Sequence, residues 1–324
     1  MTDLLSSPGL SATDPVAAAR GLAGLLLGID RAARREARSL PLPEEHAAAA
    51  RGFWDAMWAC ADAEGEFDEG ELAAVRARVR EQLNPWFLRS RYWNRAYLKP
   101  HGYAGDFRML EWIYDLERSD CADPAQPAVV NVLDRLFAGL HSAQSVWRRR
   151  AWFARLVRDR LERSPRPLRV LDIACGGSRY LRDVIDGRVD VTFVDQDPSA
   201  LAFVEQWLPA GATARLLCAP VRKLPDLLAP GTEFDLVIST GLFDYLPDAD
   251  AAALAAQMYA LRAPGGNVVI CNFAPCDPSR MVTDWICEWP LIYRDAGQLA
   301  DLFAPGSSVE IDHSHTPGLV YATV

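Results

Sequence analysis

Leu168-Arg-Val-Leu-Asp-Ile-Ala-Cys-Gly-Gly-Ser178 is the stretch that decides the fold of this chain. Its apolar run, Val170, Leu171 and Ile173, predicts a buried parallel strand. The run breaks into small residues at Ala174, Gly176 and Gly177, and a helix opens at Ser178. A turn of that kind lets a ligand touch backbone amides, because no side chain stands in the way. A second strand, Val191-Thr-Phe-Val194, ends in Asp195. A carboxylate at that tip is placed to accept both hydroxyls of a ribose. Turn and acid together imply a nucleoside-bearing ligand.

A dinucleotide does not suit this turn. Its fingerprint needs three glycines so that a pyrophosphate can rest on the helix N-terminus. The equivalent positions here are Ala174, Gly176 and Ser178, and Asp172 stands inside the strand just before them. An acid there repels a pyrophosphate, yet it can order the water or the ammonium group of an amino-acid ligand.

With 324 residues and 50% hydrophobic content, the chain is long enough for a large core and two domains. A net charge of −9 argues against a nucleic-acid partner. Seven cysteines, at 60, 121, 175, 218, 271, 276 and 287, are odd in number and scattered. Several fall in apolar strand patterns, so they are expected to be reduced core residues of a cytoplasmic protein. The five histidines are not at zinc spacing, and no metal site is expected. Gly21–Ile29 is too short to span a bilayer and reads as one face of a buried helix, so no membrane association is expected. Asp62–Glu71 resembles a calcium loop superficially, but Phe67 stands where the sharp turn needs glycine. Asp68 is instead expected to cap a helix beginning at Glu69.

Helical spacing covers 14–37, 43–63 and 69–83, with Asn84-Pro85 expected to end the third helix. Further helices are expected over 85–97, 106–117, 128–140 and 143–163. Arg148–Arg150, with Arg155, Arg158 and Arg160, read as a solvated face opposite Trp147, Phe153, Leu156, Val157 and Leu161. Ser164-Pro-Arg-Pro167 divides an all-helical domain or lid, 1–163, from an α/β domain, 164–324. Beyond it strands are expected near 168–174, 190–195, 213–218, 234–240 and 266–272, with two final strands at 308–313 and 318–324. The alternation predicts a doubly wound, Rossmann-like, mostly parallel sheet of seven strands.

Ligands of such sheets bind beyond the carboxyl ends of the strands. Those ends hold Ala174–Tyr180, then Asp195 and Gln196, then Pro220 and Val221, where a backbone amide can meet an adenine. The fourth loop holds Ser239, Thr240, Gly241 and Phe243, and Asn272 closes the fifth strand. His141 and Ser142 lie at a helix junction, where a lone histidine is a candidate base. His313 and His315 read as surface residues of a final strand.

The first turn resembles the opening motif of class I S-adenosylmethionine-dependent methyltransferases. Phe234-Asp-Leu-Val-Ile-Ser-Thr-Gly-Leu-Phe-Asp-Tyr-Leu-Pro247 and Ala263-Pro-Gly-Gly266 extend the resemblance over 168–324. In that family the loop after the fourth strand faces the methionine end of the ligand. Lys99-Pro-His-Gly-Tyr-Ala-Gly-Asp-Phe107 and Trp285–Arg294 resemble a narrower bacterial subfamily. It contains 3-hydroxypalmitate methyl ester synthases and the azetidine-2-carboxylate synthases of secondary metabolism. There the helical half lies over the open edge of the ligand pocket. By itself, Asp106 reads as the cap of a helix that follows a glycine-flanked loop.

The sulfonium activates three attached carbons, and the nucleophile held in line decides which one reacts. A methyltransferase brings an acceptor to the methyl group. A cyclase folds the methionine chain so that its own amine attacks Cγ, releasing methylthioadenosine. The amine attacks only when neutral, and a carboxylate beside it favours the charged form. The ester synthases carry an acidic residue where this chain has Tyr180, whose ring face can cradle a sulfonium instead. Tyr103 and Phe243 are candidates for the same aromatic wall, and Asp106, His141 and Asn272 for orienting the amino or carboxyl group. Cyclisation is therefore expected, with methyl ester formation on a hydroxy fatty acid or another small carboxylic acid as the alternative. The expected partner is a small molecule; oligomeric state cannot be read from the sequence.

Overall fold

Seven strands pair into one sheet in the computed structural model, which describes residues 14–304, 307–312 and 318–324. They are β1 Leu168–Ile173, β2 Val189–Asp195, β3 Thr213–Cys218, β4 Phe234–Ser239, β5 Arg262–Phe273, β6 Glu310–Asp312 and β7 Leu319–Thr323. Their order is β3-β2-β1-β4-β5-β7-β6. The first five run parallel, and β7 is antiparallel to both β5 and β6. The chain moves outward from β1 to β3, then returns to place β4 against the other side of β1. The order thus reverses between β1 and β4, which opens a crevice at their carboxyl ends.

The helices are α1 Pro15–Arg35, α2 Pro43–Ala63, α3 Glu69–Phe87, α4 Arg91–Leu98, α5 Phe107–Leu116, α6 Ala128–Ala138 and α7 His141–Arg163. Within the α/β region follow α8 Arg179–Arg182, α9 Pro198–Trp207, α10 Leu224–Leu227, α11 Asp248–Ala260 and α12 Ala296–Ala300. The residues cluster into two compact units. One comprises the described part of 1–104 with 118–139 and 281–290, and the other 105–117, 140–280 and the described part of 291–324.

The first unit is helical. Leu22, Leu26 and Ile29 bury the apolar stripe of α1, as the Gly21–Ile29 pattern predicts. Phe53, Phe87, Trp93 and Phe137 form its aromatic centre, with Phe87 and Trp93 edge to face at 4.4 Å. Asp68 caps α3 through the Glu71 amide at 2.9 Å, as expected. Pro85 does not end that helix, however; α3 runs on to Phe87. Leu83 and Phe87, one turn apart and both fully buried, hold the last turn against the aromatic centre. The carbonyl that the proline leaves unbonded belongs to exposed Glu81, where water can serve it. The helix expected over 85–97 accordingly starts only at Arg91, capped by Ser90.

In the second unit, β1 and β4 are buried on both faces, as central parallel strands should be. β3 is one of the two edge strands, and Cys218 at its end is exposed, as is Cys276. The other five cysteines are buried, and all seven are free thiols. The expectation for 148–150 also changes. Arg149 is buried beneath α7 instead of lying on a solvated face, while Arg150 pairs with Glu117 and Asp183. Helical spacing puts Arg149 one turn before Phe153, on the core face. Among the described residues no helix is long and apolar enough to cross a membrane, and no group of metal-binding side chains occurs. His313 and His315 lie outside the described residues.

Candidate functional site

Small residues in unusual backbone conformations build the turn after β1. Ala174, Gly176 and Ser178 all have positive φ, at 51°, 54° and 44°. The chain therefore reverses tightly, and the Gly176 amide turns back onto the tip of β2. The Cα of Gly176 faces Phe107, whose Cβ lies 3.5 Å from where a side chain would begin. A Cβ at Gly177 would meet a Glu111 oxygen at 2.6 Å. A side chain at Gly177 would therefore displace the Glu111 carboxyl and crowd the Phe203 ring, although its φ is ordinary. The Gly177 carbonyl accepts from Trp207 Nε1 at 3.1 Å, which fixes the turn against α9.

Asp195 sits at the tip of β2, as its pattern predicts, and is almost completely buried. Its carboxylate accepts from the Gly176 amide at 2.8 Å and from the Asp197 amide at 2.9 Å. Burial pushes its pKa up, and those amides oppose the shift. A carboxylate has about four acceptor sites, so these backbone bonds leave capacity for a ribose hydroxyl. Gln196 beside it is exposed; Pro220 and Val221 are half-buried after β3.

Asp172 presents a different picture. Ser178 Oγ donates to one of its oxygens and Tyr180 Oη to the other, both at 2.5 Å. The carboxyl is fully buried, and burial pushes its pKa up to about 7, against the pull of the two hydroxyls. Tyr180 is buried too, its ring 5.3 Å from that of Phe153. Its own pKa is well above the usual phenol value, through burial and the neighbouring acid.

The loop after β4 contributes Ser239, Thr240 and Gly241. Ser239 Oγ is buried without a hydrogen-bond partner. The Thr240 carbonyl accepts from Arg149 at 2.5 Å and from the Cys271 thiol at 2.8 Å. Arg149 lies over Gly241, its Nη1 3.4 Å from where a Cβ would stand. The guanidinium also bonds the Tyr114 hydroxyl. Phe243 is fully buried in the hydrophobic core beside β4. Asp244 is also fully enclosed and holds the Phe273 amide at 2.7 Å; burial pushes its carboxyl to about 7.

Asn272 has no hydrogen-bonding group to spare. Its amide donates to the carbonyls of Phe273 and Ile292, and its oxygen accepts from Arg294 at 2.9 Å. Arg294, buried as well, bonds the carbonyls of Phe243 and Leu246 and pairs with Asp248. That network secures the chain after β5. Asp106 caps α5 through the Met109 amide at 2.9 Å, as its position predicts. His141, half-buried at the start of α7, has its pKa lowered by burial and by Arg148. Tyr103 belongs to the first unit.

The structure thus assembles Asp172, Ser178 and Tyr180 into one cluster, and Gly176 with Asp195 into another. Glu111 and Arg149 were missed. One hides among helical residues, the other in a run of arginines, and nothing in local spacing distinguishes either.

Residues 170–266 match the family model of the methyltransferase domain. No curated protein matches the chain. Among solved structures, a possible exported protein from Bordetella parapertussis is 19% identical, with a TM-score of 0.52 over 66% of this chain and 78% of that one. A TehB-like methyltransferase from Corynebacterium glutamicum is 20% identical, with a TM-score of 0.37 over 53% and 85% of the two chains. A magnesium protoporphyrin IX methyltransferase from Synechocystis is 15% identical, with a TM-score of 0.42 over 56% and 85%. Over residues 170–266 the chain is similar to a methyltransferase domain, and its strand order and glycine turn form a Rossmann-like α/β fold.

Proposed function

We propose that the chain consumes S-adenosylmethionine, cyclising its methionine moiety to azetidine-2-carboxylate and releasing methylthioadenosine. The observation that carries this reading is the pair of hydroxyls on Asp172. An acid at the end of β1 is one group placed to hold a ligand amine as ammonium, and here both its oxygens accept from protein hydroxyls. Tyr180 therefore acts by occupying Asp172 as well as by offering a ring. The lone pair of the neutral amine attacks Cγ, the Cγ–S electron pair passes to sulfur, and a neutral thioether leaves.

In this reading Asp195 binds the ribose, Gly176, Gly177 and Ser178 approach the ligand through backbone, and Pro220 and Val221 meet the adenine. Gln196 stands at the open side of the ribose, and Ser239, Thr240 and Gly241 face the methionine chain. Asp106 and His141 belong to the groups proposed to orient the methionine chain. Asn272 serves by fixing the strand end. The same proposal takes 164–324 as the ligand-binding half and 1–163 as the helical half.

The test is to incubate the purified protein with S-adenosylmethionine and no acceptor. Methylthioadenosine together with a four-membered amino acid is the expected result. No acceptor-free turnover, with S-adenosylhomocysteine appearing only after a carboxylic acid is added, overturns cyclisation in favour of methyl ester formation.

A further inference from the structure

Two buried charges of opposite sign stand against two neighbouring turns. β1 and β4 are adjacent strands, and the turns that follow them contain Gly177 and Gly241. Glu111 of α5 abuts Gly177, and Arg149 of α7 abuts Gly241. The helices are joined where Trp147 Nε1 donates to the Ile113 carbonyl and where Arg149 meets Tyr114. Tyr114 lies three residues after Glu111, on the same face of α5.

Glu111 keeps an unbonded oxygen despite its ion pair with Arg179, and Arg149 bonds no anion directly. Glu111 is 4% exposed; its Oε2 accepts from Arg179 at 2.6 Å, but its Oε1 is buried with no partner. Arg149 is 3% exposed and bonds a carbonyl, a phenol and a thiol, all neutral. Asp244 acts on it only through space. A carboxylate oxygen without a donor and a guanidinium without an anion are both costly to bury, and each is relieved by a ligand group of opposite charge.

We propose that Glu111 and Arg149 seat the zwitterionic amino-acid end of the ligand, Glu111 Oε1 taking the α-ammonium and Arg149 the α-carboxylate. The inference rests on reading the rim as an S-adenosylmethionine site. Both residues lie outside 170–266, so this recognition comes from flanking helices and not from the family-matched region. Seating the ammonium on Glu111 also gives its proton a destination. The ammonium first gives one proton to Oε1; the freed lone pair then attacks Cγ as the Cγ–S electron pair passes to sulfur, and the ring nitrogen keeps two protons.

The experiment compares S-adenosylmethionine with methylthioadenosine, which has the nucleoside but no amino-acid end, by titration calorimetry. E111Q and R149Q are expected to weaken S-adenosylmethionine binding about tenfold or more while methylthioadenosine binding stays within about twofold. R149K, which keeps the charge, is expected to fall between R149Q and the unaltered protein. Melting curves accompany each variant, and E111Q and R149K carry the comparison where R149Q does not fold. Unchanged S-adenosylmethionine affinity, or equal loss of both ligands at an unchanged melting temperature, overturns the clamp. An unaltered protein that binds neither compound overturns the nucleoside reading itself, and the clamp with it.

Discussion

Around Trp93 two buried side chains of the helical unit find partners within it, whereas beside the turns after β1 and β4 two buried side-chain oxygens find none. Trp93 Nε1 donates to the Leu133 carbonyl at 2.9 Å, and Ser90 Oγ donates to Asp134 at 2.6 Å. At the rim, Glu111 Oε1 and Ser239 Oγ have no partner. A protein core gains from complete internal satisfaction, because an orphaned group loses its hydration and receives nothing in return. A rim that leaves such groups unmatched is less stable than it could be.

The contrast is open to direct attack. The largest effect is expected from Phe87→Ala, which empties a fully buried aromatic position. It should cost about 3–5 kcal/mol in urea unfolding, and a loss below about 1 kcal/mol would mean the helical centre is loosely packed. Next comes Asp195→Ala, with methylthioadenosine affinity falling on the order of a hundredfold as two charge-assisted ribose bonds disappear. Unchanged affinity in calorimetry would remove the ribose assignment.

A third test uses pH to probe the enclosed acid at the rim. The folded pKa of Asp172, about 7, lies above its ordinary value of 3.8. Its protonation therefore favours the folded state; that contribution is complete below about pH 4 and is lost as pH rises through about 7. Relative to Asp172→Asn, the unaltered protein should lose stability between about pH 5 and 8, on the order of 2 kcal/mol. A constant difference between the two unfolding curves would show that the carboxyl does not titrate in that window. The smallest effect belongs to Asp68→Ala, which removes an exposed helix cap and should cost about 1 kcal/mol with ligand binding unchanged.

The candidate site was legible where it depends on strand ends. Val170, Leu171 and Ile173 mark a strand buried on both faces, and the residue that finishes such a strand must lie at the rim. Asp195, Gly176 and Asp172 could therefore be placed from sequence alone. What Asp172 touches could not. Its two hydroxyl partners reach it only because positive φ at Ala174, Gly176 and Ser178 curls the turn back over the strand. Asn272 shows the opposite difficulty. Its position at a strand end suggested a ligand contact, yet Arg294, far along the chain, claims its oxygen.

Apolar periodicity and small residues at turns by themselves determined the order of helices and strands and where the ligand rim of the second half lies. Both follow from local rules, since a strand repeats every two residues and a tight turn excludes bulk. Only the tertiary structure decided that Arg149 is enclosed, that Pro85 leaves α3 intact and that Glu111 rests on Gly177. Each outcome depends on what packs against the residue from a distant part of the chain, and burial of a charge is a property of its surroundings, not of its neighbours in sequence.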